Sequence, residues 1–330
     1  MVYSKVAMVS KIEISHKTII FILMLLAFVW LVLQIRDILF LLFIAFIIMA
    51  ALRPAVDWLD SKKVPRIIGA FLMYILVFGV IGLSLAGIIP SLVIQFTKLT
   101  NIFPTVLGKI IPYWNIDVSA ITQQLAPIGE NVLKLTIGIF SNIATTFMVL
   151  VFAFYFLLER KYAHKFVSGF LGEEQAGVII GTLLRIEQRL GSWVGGQLIL
   201  MLSVGILSYI GLVVLGIEFA LPLAIVAGIL EIIPTIGPVV SSIPAIIVAF
   251  GIAPIYGLYT AILYIVIQQL ENNILVPVVM KRSVGLHPLV TIVSLLVGAR
   301  LGGVVGAILA VPALLIIQEL ITSYTNASKK

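Results

Sequence analysis

Residues 231–238 read EIIPTIGP, and the reading of that stretch decides the fold. A carboxylate, two prolines and a glycine fall within eight residues. The apolar arms on either side run to about 13 to 15 residues, roughly 20 Å each, against a hydrocarbon core of about 30 Å. Proline removes a backbone donor and clashes with the preceding turn, so the helix must break here. A broken helix at membrane depth is tolerated only where it is packed in protein or lines a cavity, and an acid at that depth is costly enough to mark function. Transporter sites are commonly built this way.

The rest of the chain supports a membrane setting. Its 330 residues are 62% hydrophobic and 11% charged, with a mean hydropathy of +1.23, which describes a polytopic membrane protein. The net charge of +7 is not gathered into a basic stripe interleaved with aromatics, so nucleic acid is not a partner. The absence of cysteine excludes disulfides and thiolate metal sites. Residues 18–35 form an apolar run long enough to span, with no small-residue cleavage site after it, and read as an uncleaved first helix.

Taken in order, a basic cytoplasmic tail (1–17) leads into spans 18–35 and 38–52, expected to form a helical hairpin turning at Arg36 and Asp37. RPAVDWLDSKKVPR (53–66) is a helix end and loop, and 67–89 spans a third time. Residues 91–134 form an extracytoplasmic amphipathic helical insert, with Ile121, Leu125, Ile128, Val132 and Leu135 on one stripe. Residues 137–158 make the fourth span, 159–190 a cytoplasmic helical insert, and 192–216 the fifth span. A motif-bearing transport region, 220–321, follows: a hairpin at 220–251 broken at PTIGP, a span at 257–275 ending in QQLENN, and a hairpin at 288–321 broken at GARLGG. Each hairpin is either re-entrant or a pair of short crossings. The expected fold is therefore an all-α polytopic membrane protein in one transporter domain, 1–330, with about eight membrane segments. With the amino terminus inside, interior segments hold sixteen of the twenty-one Lys and Arg residues, which puts both termini in the cytoplasm.

Glu231 reads as a carboxylate that exchanges protons or cations during transport, or as a brace accepting bonds from freed backbone N–H groups. Pro234, Gly237 and Pro238 make the break. Gln268, Glu271 and Asn272, with Asn273 beside them, line a polar pathway or form an ordinary polar helix end closed by Pro277. His287 before Pro288 caps the second hairpin or relays protons. Arg300 at that hairpin's tip snorkels, pairs with a carboxylate such as Glu231, or attracts an anionic substrate. Gly298, Gly302, Gly306 and Ala310 form a small-residue stripe for close helix approach, and Gly191 and Gly195 repeat the pattern. No HExxH, GxSxG, Walker or CxxC sequence occurs, so metalloprotease, serine hydrolase and ATP-driven pump lack their usual support. No cofactor is implied, and three histidines without cysteine argue against a transition-metal site.

EIIPTIGP, QQLENNILVPVV, VGLHP and GAILAVP, with GGQ at 195–197 and RPAVDWLDSKKVPR, resemble the AI-2E family of membrane transporters from about residue 50 onward. The resemblance implies an inner-membrane helical protein that forms homo-oligomers, with a pentamer as the family expectation. It also implies export of autoinducer-2 or, for some members, sodium or lithium exchange for protons. Glu231, Pro234, Gly237 and Pro238 match the first motif, Gln268, Glu271, Asn272 and Pro277 the second, and His287 and Pro288 the third. The expected activity is non-enzymatic: ion-driven export of a small, polar, autoinducer-2-like solute. Cation/proton antiport is the alternative, and a non-transporting membrane scaffold is the alternative from another class.

Overall fold

The computed structural model describes residues 16–79, 143–158, 160–234, 236–280 and 287–327, with Ile94 and Lys98 as isolated helical positions. The tail up to residue 15, the end of the third span, the insert 91–134 apart from those two positions, and the start of the fourth span fall outside the described residues. Among the described residues all regular structure is helical. Five helices are long and apolar enough to cross a membrane: His16–Gln34, Arg36–Ser61, Glu173–Val214, Pro254–Met280 and Leu289–Thr325. Four shorter apolar helices accompany them. The chain is a multi-pass helical membrane protein.

It divides into two units, 1–44 and 45–330. In the first, α1 (His16–Gln34) and the opening turns of α2 (Arg36–Ser61) meet at Ile35. Ile35 N–H donates to Leu31 O and Leu39 N–H to Ile35 O, both at 3.0 Å. These α-helical bonds lie on either side of Ile35, so a single residue, one place before the expected turn at Arg36 and Asp37, separates the two helices.

In the second unit, the remainder of α2 packs through Ala45, Met49, Ala50, Leu52 and Val56. Asp57 on α2 accepts from Arg66, at the head of α3 (Arg66–Gly79), at 2.8 Å. Arg66 also donates to Leu157 O at the end of α4 (Ile143–Leu158), and Tyr74 donates to Leu150 O higher on that helix. α5 (Arg160–Leu171) and α6 (Glu173–Val214) follow, joined at Gly172.

α6 is 42 residues long, about 63 Å at 1.5 Å per residue. The sequence reading divides an insert at 159–190 from a span starting at 192. The helix runs unbroken across that point, where Gly191 lies against the carbonyl of Ala50. It ends at Gly216, φ +67°, where Ile217 N–H reaches back to Leu212 O, the six-to-one bond of a Schellman stop.

α7 (Ala220–Leu230) and α8 (Ile236–Ile252) are the arms of the first broken hairpin. Leu223, Val226 and Ala227 share one core with Ala245, Val248 and Ala249, with Val204 and Leu212 of α6, and with Tyr264 and Ile267. The last two sit on α9 (Pro254–Leu270), which continues through a π-helical turn, Glu271–Leu275, into α10 (Val276–Met280). Helix thus extends past the expected end at 275. α6 and the α9–α10 rod run antiparallel, since Gly196 lies against Met280 and Gly211 against Leu263.

α11 (Pro288–Ala327) carries non-helical backbone at Gly302 and Gly303, the latter at φ +60°. In a straight helix Gly298 and Gly306 would stand about 12 Å apart. Here each lies against the other's carbonyl, so the chain doubles back at GARLGG as expected. The small-residue stripe serves the contact between two arms of one hairpin. Leu295 from one arm and Ala310, Val311 and Leu315 from the other pack with Ala50, Ile186, Leu190 and Trp193.

Candidate functional site

The break after α7 is organised by Glu231, which caps that helix. Its backbone N–H still bonds Ala227 O, Ile232 and Ile233 close tighter turns, and Gly237 N–H restarts helix on Ile233 O. Gly237 lies against Leu230 O, with no room there for a Cβ. Glu231 is 1% exposed. Its carbonyl accepts from the Gln197 amide of α6 at 2.6 Å, which answers the carbonyl left free by the break.

The Glu231 carboxyl abuts that of Glu271, 3% exposed, in the π turn of the antiparallel rod. The turn has a local cause. Pro277 has no N–H to give residue 273, and Val276 N–H instead bonds Glu271 O five residues back. π turns inside α-helices recur at functional sites, and Glu271, which opens this one, stays on the face of buried Thr260, Tyr264 and Ile267. Gln268 donates to Glu271 Oε2 at 3.3 Å. Glu231 Oε2 and Gln197 Oε1 are buried without a hydrogen-bond donor or partner among the described residues.

The structure therefore brings Glu231, Glu271 and Gln268 together, between the first hairpin and the α9–α10 rod. Asn272 and Asn273 are exposed, and Asn273 folds back on Gln269, bonding its carbonyl and side chain at 2.9 Å. His287 is exposed and its Nδ1 accepts from Leu289 N–H at 3.3 Å, a capping arrangement before Pro288. Arg300 is exposed at the tip of the second hairpin and makes no ion pair among the described residues, so the expected pairing with Glu231 does not form. Pro234 is half-buried and Pro238 buried beside the break. Ile233, from the break itself, packs towards the second hairpin's core.

Two ion-pair networks frame this centre. Arg53 of α2 pairs with Asp57 of its own helix and with the buried Glu187 of α6. Further along, Arg185 and Arg189 of α6 hold Glu319 of α11 at 2.7 and 3.1 Å. The sequence reading assigned no role to Gln197, Arg53, Glu187 or Glu319. A signal for them was present: polar side chains inside helical stripes that are otherwise apolar.

A family profile described as "AI-2E family transporter" matches residues 19–326. The chain belongs to the AI-2E family of transporters. Among its relatives, "Putative transport protein YrrI" of Bacillus subtilis (strain 168) is 28% identical, covering 89% of this chain and 88% of its own. "Putative transport protein YueF" of the same organism is 30% identical over 83% and 81%. "Putative permease PerM" of Escherichia coli (strain K12) is 24% identical over 74% and 71%. For an AI-2E chain these relatives point to transport or permeation, and two of the motifs that carried the resemblance, EIIPTIGP and QQLENNILVPVV, supply the carboxyl pair.

Proposed function

We propose that this chain is a secondary transporter that exchanges protons for a monovalent cation, sodium or lithium, at the Glu231–Glu271 pair. One observation carries the reading: two buried carboxyl groups abut within a broken-helix site. Two carboxylates in contact repel, and they are reconciled either by one shared proton or by one cation between them. A proton and a cation therefore compete for one place, which is the minimal device for exchange. The hairpin breaks at PTIGP and GARLGG gate the pair from opposite faces of the inner membrane, with both termini cytoplasmic, and protomers assemble as a homo-oligomer, a pentamer by family resemblance.

Export of a small polar solute, the autoinducer-2-like reading, is the second candidate. It draws support from the amides of Gln197 and Gln268 beside the pair, which suit a hydroxyl-bearing molecule.

The test is proton movement in proteoliposomes on adding sodium or lithium, comparing wild type with Glu231→Gln and Glu271→Gln. Exchange at the pair requires cation-dependent flux in wild type and its loss in both variants. Undiminished flux from folded Glu231→Gln protein ends the carboxyl-pair reading. No cation-dependent flux in wild type returns the site to solute export, tested by preloading vesicles with candidate solutes; a scaffold moves neither.

A further inference from the structure

A second polar cluster lies along the same helix interface. Ser208 of α6 and Thr260 of α9 are 0% exposed, and Tyr264, one turn on from Thr260, is 7% exposed. The Tyr264 hydroxyl reaches towards Ser208 across the interface, and Ser208 Oγ, Thr260 Oγ1 and Tyr264 OH make no well-formed hydrogen bond among the described residues. They are surrounded by the apolar core of Val204, Leu212, Val248 and Ile267. Buried hydroxyls without partners are rare in native proteins and call for a ligand.

The chemistry of the cluster selects the ligand. None of the three side chains is an acid, and three neutral hydroxyls are a poor match for a dehydrated cation, which wants more oxygens and a countercharge. They suit water, which needs two to four polar partners and both donates and accepts. On α6, Ser208 stands eleven residues from Gln197, and on α9 Tyr264 stands seven from Glu271, so the cluster sits about 10–16 Å along the interface from the carboxyl pair. Leu200, Val204 and Ile267 lie between the two and are buried.

We propose that Ser208, Thr260 and Tyr264 form a buried hydration site that passes protons between the end of α6 and the Glu231–Glu271 pair. This rests on the carboxyl-pair reading for its destination. In each transfer a hydroxyl oxygen takes a proton from one neighbour and releases its own to the next, so one proton moves and every group is restored. Leu200, Val204 and Ile267 form the apolar collar that interrupts the route in this conformation, and conduction follows their separation.

Two arms test it on the full chain. Radiolytic footprinting in H2(18)O labels side chains next to bound water. Tyr264 labels strongly despite its burial, labelling falls in Ser208→Ala/Thr260→Val, and it is retained in Thr260→Ser, which controls for packing. Unlabelled Tyr264, or labelling indifferent to the double variant, overturns the hydration site. In the second arm, cation-driven proton flux falls about tenfold in Tyr264→Phe, the scale of one lost hydrogen-bonding partner, while sodium binding is unchanged. Full flux in Tyr264→Phe overturns the relay. Labelling is read without any gradient, so failure of the carboxyl-pair reading shows separately, as flux that survives Glu231→Gln or as no cation-dependent flux in wild type.

Discussion

Substituting Gly298 by alanine tests the doubled-back geometry of α11 directly. The added Cβ meets the carbonyl of Gly306 and lies 3.0 Å from Ala310 Cβ. The nearest obstacle is backbone on the opposing arm, which cannot rotate away as a side chain would. With backbone as the obstacle, the cost falls in the upper part of the usual overpacking range, about 2–3 kcal/mol. Alanine in a helix interior returns about 0.5–1 kcal/mol over glycine, leaving a net loss of about 1–2 kcal/mol. At roughly 2–4 °C per kcal/mol for a chain of this size, the midpoint drops by about 2–8 °C. Gly177→Ala in α6 is the control, because its new Cβ meets nothing within 4 Å. It keeps only the helix gain and melts at or slightly above wild type. The assay is thermal unfolding of detergent-purified protein followed by size-exclusion chromatography. Gly298→Ala melting with or above Gly177→Ala would refute the close crossing, and the reversal at Gly302 and Gly303 with it.

Further outcomes follow from the polar contacts. Glu319→Gln loses two charge-assisted bonds to Arg185 and Arg189; with Arg185 about half exposed, the loss is about 1–2 kcal/mol, and a thermal double-mutant cycle with Arg189→Met shows coupling. Arg53→Met leaves the Glu187 carboxylate buried without its partner and costs about 3 kcal/mol, most of it recovered in Arg53→Met/Glu187→Met; unfolding midpoints of the two variants decide this. Gln197→Leu strips the bond to Glu231 O and costs about 1–2 kcal/mol, and transport measured beside stability falls more than the thermal shift accounts for.

Both helix breaks were legible because proline and glycine act locally, through a missing donor and a permitted positive φ. Glu231 was legible for a related reason, since an acid in an apolar run has no bland environment to occupy. Its partner was harder to assign. Helical spacing grouped Glu271 with Gln268 and Asn272, but the buried face runs through Tyr264, Ile267 and Glu271, with Gln268 at its edge and Asn272 turned outward. For Arg300 the sequence left snorkelling, pairing with a carboxylate and anion attraction open, and the side chain is exposed at a tip where the backbone reverses. At Gly191 polarity changes while helix does not, so the continuity of α6 was not legible from the pattern. A charged stretch read as a separate insert is held in helix by its ion pairs to α2 and α11. Gln197 was missed because an amide in a span has many uses, and its use here depends on a carbonyl freed in another helix.

α6 binds Glu319 and Arg53 near its amino-terminal half, touches Glu231 through Gln197 near its middle, and presents Ser208 close to its far end. An unbroken rod of about 63 Å has no internal joint to absorb a change at one of these places. Tilting it by roughly 5° about Gln197 moves each end by about 2–3 Å. At the ion pairs on Arg185, Glu187 and Arg189, and at Ser208 on the other side, the same tilt moves the backbone by about 1–1.5 Å in opposite directions. The charged clasps on Glu187, Arg185 and Arg189 therefore set the tilt of the whole rod, and with it the places of Gln197 and Ser208.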